Sequence, residues 1–324
     1  MAHRGSNGTL PENTVRVYQL AVDQGADVIE CDATITKDHA LICMHECWMN
    51  QTTNVAQVYN SSRKNTYFRR TEYFTVDFTL AELSLVRKVQ RSNILHRNYN
   101  GQFGIATLEE FIAVAQGAGR PVGIYIETKD PIFINSILAT RRAGVTFEDL
   151  LLDTLRRFNY TNKRSPCFLQ SANLKSLLYL ANRTSLPIVV LLQSSKVSNK
   201  ALARYSSFAY GIGPIKQLLV KLKNKTIVSR SDLAQRAHAF GLRVHPWTLR
   251  NEHEYLAWDY GQDPANEYAD FFQFGVDGSF TDFPETYYNF LNSRFCDAGS
   301  GSPALDYLAN KGPDGIQEKR CHPL

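Results

Sequence analysis

The sequence predicts an α/β protein, a TIM (β/α)8 barrel with a small insertion after its third strand. Short apolar runs alternate with amphipathic segments of helical spacing, the pattern expected of repeated βα units. Several runs end in acidic or histidine residues, as barrel strands do at the face that carries the active site. A length of 324 residues suits one such domain.

Eight candidate strands are apolar runs of about five residues that are bounded by polar or turn residues. In chain order they are residues 1–3, 26–32, 40–45, 122–127, 166–170, 187–192, 243–247 and 276–281. The first is only a stub, because Met1 and Ala2 alone precede His3. We therefore expect this chain to begin within or just before its first strand, and any targeting segment to lie outside it.

Apolar residues at helical spacing predict helices between the strands, with packing faces rather than sites. Three stripes carry this prediction: Leu108, Phe111, Ile112 and Ala115; Phe147, Leu150, Leu151, Leu155 and Phe158; and Leu174, Leu177, Leu178 and Ala181. Residues 11–14 predict a turn into a further helix, with Asn13 as its N-cap.

Two stretches break the alternation. Residues 54–105 are rich in Arg, Lys, Tyr and Phe and predict an insertion over the barrel mouth, with a helix-like piece at 80–86. The barrel is assigned to residues 1–290, and residues 291–324 form a C-terminal tail that is rich in Gly, Ser and Pro from Ala298. A disulfide between Cys296 and Cys321 would close this tail.

Composition restricts the class of function. The net charge of +5 is spread over the chain, which weakly favours anionic substrates. No nucleic-acid recognition module is visible. No segment approaches the roughly 18–20 apolar residues that span a bilayer, and the given residues contain no signal-peptide pattern.

The six cysteines fit neither a zinc site nor a CxxC redox pair. Cys43 and Cys47 flank His45, and a disulfide from either would stiffen that loop. Asn-X-Ser/Thr triplets favour a secreted or lumenal glycoprotein, with reduced thiols and unused triplets in the cytosol as the alternative. The triplets begin at Asn7, Asn50, Asn60, Asn159, Asn182 and Asn224.

Three strand-end carboxylates predict a metal site. Glu30 and Asp32 lie two residues apart in one strand, so both side chains point to one face and Cys31 to the other. They repel each other unless a cation lies between them. Glu127 can supply a third oxygen, and oxygen ligands favour Ca²⁺ or Mg²⁺ over Zn²⁺. The alternative is that these acids are solvated or paired with Arg or Lys.

His3 and His45 each lie at a strand end and predict an acid/base pair. One would take the proton of the attacking hydroxyl, and the other would protonate the leaving alkoxide. Arg4 and Lys129 could hold phosphate oxygens, with Gly5 allowing a sharp turn of the backbone. The whole set indicates metal-assisted phosphodiester hydrolysis.

Six segments resemble, in order and spacing, those of the glycerophosphodiester phosphodiesterases, from residue 2 to about residue 285. They are AHRG…PENT, GADVIECDATITKDHALICMHE, YIETKDP, LQSAN, VHPWTLRNE and GVDGSFTDFPE. Two stretches, HECWMNQTTNVA and HPWTLRNE, are most similar to the periplasmic or secreted branch. Glu46 stands where an aspartate is commoner.

The resemblance implies the same barrel with an insertion after the third strand, and a function for each matching position. It implies metal ligands at Glu30, Asp32 and Glu127, an acid/base pair at His3 and His45, phosphate binding by Arg4, and a substrate pocket lined by Lys129 and Trp247. The implied reaction releases sn-glycerol 3-phosphate and an alcohol from a small glycerophosphodiester. The substrate's own glycerol hydroxyl attacks phosphorus, and water opens the cyclic phosphate that results.

Two alternatives differ in class. An enzyme resembling the sphingomyelinase type of phospholipase D would share the barrel, the histidines and the metal site. Lys129 beside Glu127 and the long insertion favour the glycerophosphodiesterase. A non-catalytic barrel that only binds a ligand is the second alternative, and the presence of every predicted site residue argues against it.

Overall fold

A parallel sheet forms the centre of the fold. Its strands have nearly continuous apolar sequences because both faces of the sheet are covered. The computed structural model describes residues 1–67, 69–91, 97–141, 144–193 and 196–296. The strands are β1 (Val28–Ile35), β2 (Leu41–Cys43), β3 (Asn65–Tyr67), β4 (Arg70–Glu72), β5 (Gly123–Thr128), β6 (Cys167–Ser171), β7 (Ile188–Leu192), β8 (Gly211–Pro214), β9 (Val220–Lys223), β10 (Thr226–Arg230) and β11 (Arg243–Val244).

Most helices pack around this sheet and bury their apolar stripes against it. They are α1 (Val15–Asp23), α2 (Val55–Val58), α3 (Leu80–Leu83), α4 (Leu108–Gln116), α5 (Pro131–Arg141), α6 (Phe147–Arg157), α7 (Leu174–Ala181), α8 (Asn199–Ser206), α9 (Leu233–Ala239), α10 (Pro264–Gln273) and α11 (Pro284–Cys296). In α4 all four residues of the predicted stripe are buried. In α7 Leu177 and Leu180 form the buried face instead, while Leu174 and Leu178 are half-buried.

The sheet has seven strands in the order β11-β8-β7-β6-β5-β1-β2. All neighbours pair in parallel except β2, which pairs antiparallel with β1. Single-residue parallel bridges join the two sides: Ala2 pairs with both Ile29 and Thr281, and Thr281 pairs with Leu249. The predicted TIM barrel is confirmed, and Ala2 is the single bridging residue of its first strand.

The predicted strand at residues 40–45 is not one of the parallel barrel strands. Its residues form β2, whose register pairs Ala33 with Cys43 and Ile35 with Leu41 in antiparallel fashion. The chain simply turns back after β1 and carries His45 over the barrel mouth. The insertion therefore follows this antiparallel strand and lies between the barrel strands β1 and β5.

Sequence reasoning missed β8, because its sequence Gly-Ile-Gly-Pro contains no apolar run. Gly211 is needed where β8 pairs with β11, since an added Cβ would lie 2.6 Å from the Arg243 carbonyl oxygen. The predicted strand at 276–281 was wrong as a continuous strand, because only Thr281 forms bridges there. Of the predicted strand at 243–247, only Arg243 and Val244 are strand residues, while Trp247 bridges to Ile215.

The insertion shares a small apolar cluster with β2 and the loop that follows it: Tyr73, Phe78 and Val86 of the insertion pack with Ile42 and Met49. Its predicted helix-like piece is α3, with a capping box at Thr79. Helix α11 crosses the predicted barrel boundary at residue 290. The rest of the tail and the Cys296–Cys321 disulfide predicted there lie outside the described residues.

Cys31 forms a disulfide with Cys43 and thereby joins β1 to β2, while Cys47 and Cys167 are buried free thiols. The bond decides between the two disulfides that the sequence left open beside His45. It lies on the helix-facing side of β1, opposite to Glu30 and Asp32, because alternate side chains of a strand point to opposite faces.

Removing this disulfide should destabilise the barrel. The bond spans a sequence separation of 12 residues, and a loop of that size stabilises by about 3 kcal/mol. Urea unfolding of a Cys31→Ala, Cys43→Ala variant should show a loss of that order. Reductant should lower the stability of the parent protein similarly and leave the variant unchanged, and a parent protein that is insensitive to reductant would contradict the prediction.

Candidate active site

Strand β1 presents two carboxylates to the barrel mouth. Ile29, Cys31 and Ala33 pack into the main apolar core, so Glu30 and Asp32 point the other way. Glu30 is 1% exposed and Asp32 is fully buried. Together with Glu127 of β5 they form a group whose candidate ligand atoms all lie within 4.8 Å of one another. The structure thus brings the three predicted metal ligands together.

Lys129 lies in the same cluster. Its Nζ is 2.7 Å from Glu127 Oε1 and 3.7 Å from Asp32 Oδ1. Burial by itself would lower the pKa of Lys129, but Glu127 and Asp32 outweigh burial and raise that pKa. The ammonium is therefore charged and contributes one positive charge beside the carboxylates.

Burial and mutual repulsion disfavour the ionised forms of two of these three carboxylates. Burial, and then the charges of Asp32 and Glu127, raise the pKa of Glu30 well above its usual value. The pKa of Glu127 is also raised, chiefly by burial. Asp32 behaves oppositely, because the positive charges of Arg4 and Lys129 outweigh burial and lower its pKa. A divalent cation would relieve this repulsion and would suit a set of oxygen donors.

Arg4 is held by the same acids. Its backbone N–H donates to Glu30 Oε2 at 2.7 Å, its Nε lies 3.2 Å from Asp32 Oδ2, and its Nη1 donates to Glu12 Oε2 at 3.0 Å. The backbone of Arg4 is left-handed, with φ 56°, and Gly5 continues the turn at φ 86°. A Cβ on Gly5 would lie 2.7 Å from Val17 Cγ1, so the turn needs glycine.

Asn13 has a different role from the one predicted. Thr14, not Asn13, caps α1, and its side chain accepts from the Val17 backbone N–H. Asn13 itself has φ 57° and donates through Nδ2 to Asp32 Oδ2 at 2.9 Å. Its side-chain oxygen accepts from the Tyr18 hydroxyl at 2.6 Å, which orients the amide. The residue positions a carboxylate of the site rather than starting the helix.

His3 pairs with Asp282. The His3 Nδ1 lies 2.7 Å from Asp282 Oδ1, which also accepts from Asn7 Nδ2 at 2.9 Å. Arg250 lies 3.2 Å from the second oxygen of Asp282. Since an ionised carboxylate only accepts hydrogen bonds, His3 carries a proton on Nδ1 and leaves Nε2 for chemistry.

His45 is held in the same way by its neighbour in the chain. Its Nδ1 lies 2.7 Å from Glu46 Oε1. The loop that follows β2 thus supplies both the histidine and the carboxylate that orients it. This pair repeats the His–carboxylate arrangement of His3 with Asp282, so both predicted histidines have an oriented ring with Nε2 available.

The electrostatic surroundings keep both histidines neutral. Burial, followed by the positive charge of Arg4, lowers the pKa of His3. Burial, Arg4 and Lys129 lower the pKa of His45 to about 4. A neutral imidazole can accept a proton, as a general base must. An anionic phosphodiester in the site would raise both pKa values and favour the protonated form that a general acid needs.

Trp247, predicted to line the substrate pocket, follows β11 in the chain. Its indole is half-buried, packs with the barrel-interior aromatic residues Tyr125, Phe168 and Phe280, and donates from Nε1 to the Gly213 carbonyl at 2.8 Å. The next residue, Thr248, has its Oγ1 3.5 Å from His3 Nδ1. Trp247 therefore lies beside the histidine half of the site.

Sequence reasoning missed four contributors: Glu12, Asp282, Arg91 and, as a site residue, Asn13. Glu12 is fully buried and ionised, because Arg4 and Arg91 outweigh burial and lower its pKa. Asp282 follows Thr281, which bridges to Ala2 at the end of the barrel, so the strand-end rule that found Glu127 could also have found it. Arg91 lies in the insertion, where no pattern distinguishes it from the other cations.

The arrangement combines a cluster of oxygen donors with two oriented neutral histidines and several fixed cations. Such a set can hold a divalent cation, bind an anionic oxygen and move a proton on either side of it. No helix of the described residues has both the length and the apolar character needed to cross a bilayer.

Comparison with known proteins agrees with this chemistry. A model of the glycerophosphoryl diester phosphodiesterase family matches residues 3–286. A glycerophosphodiester phosphodiesterase of Arabidopsis thaliana is 39% identical, over 90% of this chain and 85% of that protein. One of Bacillus subtilis is 28% identical, over 89% of this chain and 84% of that protein.

A solved structure shares the fold. It is that of an Oleispira antarctica phosphodiesterase in complex with its product sn-glycerol-3-phosphate. The TM-score is 0.63 at 18% sequence identity, and the match covers 90% of this chain and 95% of that one.

Proposed function

Because the chain belongs to the glycerophosphoryl diester phosphodiesterase family, and is a glycerophosphodiester phosphodiesterase, we propose that it works with a divalent cation and an acid/base pair of two histidines. The products would be sn-glycerol 3-phosphate and a free alcohol. The observation that carries this proposal is the group of Glu30, Asp32 and Glu127 flanked by His3 and His45, each with its Nδ1 held by a carboxylate.

Glu30, Asp32 and Glu127 would hold the cation, which we propose is Ca²⁺ or Mg²⁺. When bound, it supplies positive charge that stabilises the developing charge on the phosphoryl oxygens. Support for it comes from the donor set, which is oxygen only, and from Asp32 Oδ1, a buried atom without a hydrogen-bond partner. Lys129 and Arg4 would bind the remaining phosphate oxygens, Arg4 through the guanidinium that Glu12 and Asp32 orient.

In the proposed first step, one histidine takes the proton of the substrate's glycerol hydroxyl while that oxygen bonds to phosphorus. The bond from phosphorus to the alcohol oxygen breaks, and the other histidine protonates the leaving alkoxide. The product of this step is a cyclic glycerol phosphate. Water then adds to phosphorus, the ring bond breaks, and the two histidines exchange roles, so every proton is returned. The attacking hydroxyl is tethered to the phosphate and gains effective molarity.

The family match also decides between the alternatives that the sequence left open. It covers nearly the whole described barrel and favours the glycerophosphodiesterase over the sphingomyelinase type of phospholipase D. The named relatives are enzymes, which sets aside a barrel that only binds a ligand.

Small deacylated substrates should be preferred. The insertion brings Arg91 against the mouth, where it contacts Glu12 and Glu46, while Lys88 is fully buried against Met44 and Thr52. Because the insertion covers this side of the mouth, we expect little room for two acyl chains. We expect turnover of glycerophosphocholine and glycerophosphoethanolamine, and far slower turnover of intact phosphatidylcholine and sphingomyelin. Release of sn-glycerol 3-phosphate measures the first pair, and choline-containing products measure the second. Equal rates on phosphatidylcholine would contradict the preference.

A secreted or lumenal location is part of the proposal. The Cys31–Cys43 disulfide supports it, because such bonds persist in oxidising compartments. Four of the predicted glycosylation residues are exposed: Asn60, Asn159, Asn182 and Asn224. Asn7 is not available to a glycan, since it is 2% exposed and donates to Asp282. Loss of apparent mass after glycosidase treatment of the native protein would test this location.

A further inference from the structure

Arg91 connects the insertion to the barrel. Its guanidinium lies between two carboxylates that belong to different loops of the mouth. Toward Glu12, Nε and Nη2 donate at 2.5 and 2.7 Å. Toward Glu46, Nη1 and Nη2 donate at 2.9 and 2.8 Å. Both contacts are bidentate, a geometry that suits arginine and that lysine cannot reproduce.

The donors of Arg91 are almost fully used. A guanidinium has five N–H groups, and the two carboxylates accept four hydrogen bonds from them. Its side chain is 18% exposed. Arg91 is thus committed to carboxylates, so a role in phosphate binding does not suit it.

Glu46 depends on Arg91 for its position. One oxygen of Glu46 holds His45 Nδ1 at 2.7 Å, and the carboxylate is 12% exposed on a loop. Across the guanidinium lies Glu12, which is fully buried and charged. Without Arg91 the two negative carboxylates would repel each other, and Glu46 is the one that can move toward water. Its movement would release the ring of His45.

We propose that Arg91 is a positioning residue for the reaction: anchored on Glu12, it holds Glu46 so that His45 keeps the ring orientation needed for proton transfer. The inference rests on the proposed function, because it assigns the effect of Arg91 to a catalytic His45. It gives the insertion a second role besides covering the mouth, since Arg91 makes the geometry of His45 depend on how the insertion packs.

The test compares Arg91→Met with Arg91→Lys, each in the parent protein and in a His45→Ala variant. A misplacement of about 1 Å can cost about 100-fold in rate, so Arg91→Met should lower kcat by about 10- to 100-fold in the parent protein. KM for glycerophosphocholine should change little, because Arg4 and Lys129 keep their own contacts. The kcat of Arg91→Lys should lie between those of Arg91→Met and the parent, since lysine keeps the positive charge but cannot make the two bidentate contacts.

In the His45→Ala background, Arg91→Met should lower kcat no further. An equal fold loss in both backgrounds would overturn the positioning role while leaving the two-histidine mechanism intact. Full activity of His45→Ala alone would instead refute the proposed mechanism, so the two failures are distinguishable. Thermal unfolding identifies a variant that does not fold. If Arg91→Met does not fold, Arg91→Lys, which keeps the positive charge, takes its place: a loss of kcat in the parent background alone supports the positioning role, and an equal loss in both backgrounds overturns it.

Arg87→Met is the matched control. Arg87 lies four residues earlier in the same segment, and its guanidinium donates to the backbone carbonyls of Ser84 and Val86. Its loss should leave kcat near that of the parent. A loss equal to that of Arg91→Met would mean that any disturbance of the segment lowers activity, and would overturn the specific role of Arg91.

Discussion

Replacing His45 or His3 by alanine should lower kcat by about 10²–10⁴-fold, the contribution of one general acid or base. Each ring is oriented by a carboxylate and lies close enough to the cluster for Arg4 to lower its pKa. KM should change far less, because Arg4, Lys129 and the cation would still bind the phosphate. Initial rates on glycerophosphocholine measure both constants.

The double variant provides the control for this result. If the two histidines act in one relay, replacing both should be scarcely worse than replacing either one. His238→Ala is a suitable comparison, since His238 pairs with Asp277 away from the described site. A folded, cation-loaded His45→Ala protein with nearly full activity would refute the pair.

The pH profile should separate the two roles. Since the pKa of His45 is lowered to about 4 in the free protein, its neutral form persists at neutral pH and is lost only as the pH falls toward that value. kcat/KM, which reports the free enzyme, should therefore decline on the acid side below the ordinary histidine range. In kcat, which reports the substrate complex, the bound phosphodiester should raise both pKa values, so the alkaline limb should report loss of the protonated partner there. Each single alanine variant should lose one limb.

Removing the cation should lower activity about as much as replacing one of the two histidines. A bound cation supplies several kcal/mol of charge stabilisation, and each 1.36 kcal/mol is tenfold in rate. Excess chelator should therefore lower kcat/KM by about 10²–10⁴-fold, and titration with Ca²⁺ or Mg²⁺ should restore it. Asp32→Asn, Glu30→Gln and Glu127→Gln should each impair this recovery.

A second readout does not depend on turnover. The effective cation should raise the melting temperature of the parent protein and not that of Asp32→Asn, because a ligand that binds the native state stabilises it. Asp153→Asn removes an exposed carboxylate of α6 and should behave like the parent in both assays. Full activity in excess chelator would contradict the metal role.

The sequence by itself determined which carboxylate side chains lie together at the ends of the strands. A two-residue repeat places Glu30 and Asp32 on one face, and an apolar run that stops at Glu127 places that carboxylate at the same edge of a parallel sheet. These relations hold within one strand, so they can be predicted from local spacing. The predicted ligands and histidines do come together at the mouth, and the repeated βα pattern gave the correct fold class.

Only the tertiary structure decided which residues from distant segments meet. Three contacts join residues whose spacing in the sequence follows no helical or strand repeat, so local patterns could not predict them. They are the Cys31–Cys43 bond, the pairing of His3 with Asp282 and the bridge of Arg91 between Glu12 and Glu46. Strand β8 lacks an apolar run and is extended because its neighbours β7 and β11 bind its backbone. Asn13 departs from its expected role for the same reason: closure of the barrel brings the Asp32 carboxylate within hydrogen-bond distance of its amide, while the next residue, Thr14, caps α1.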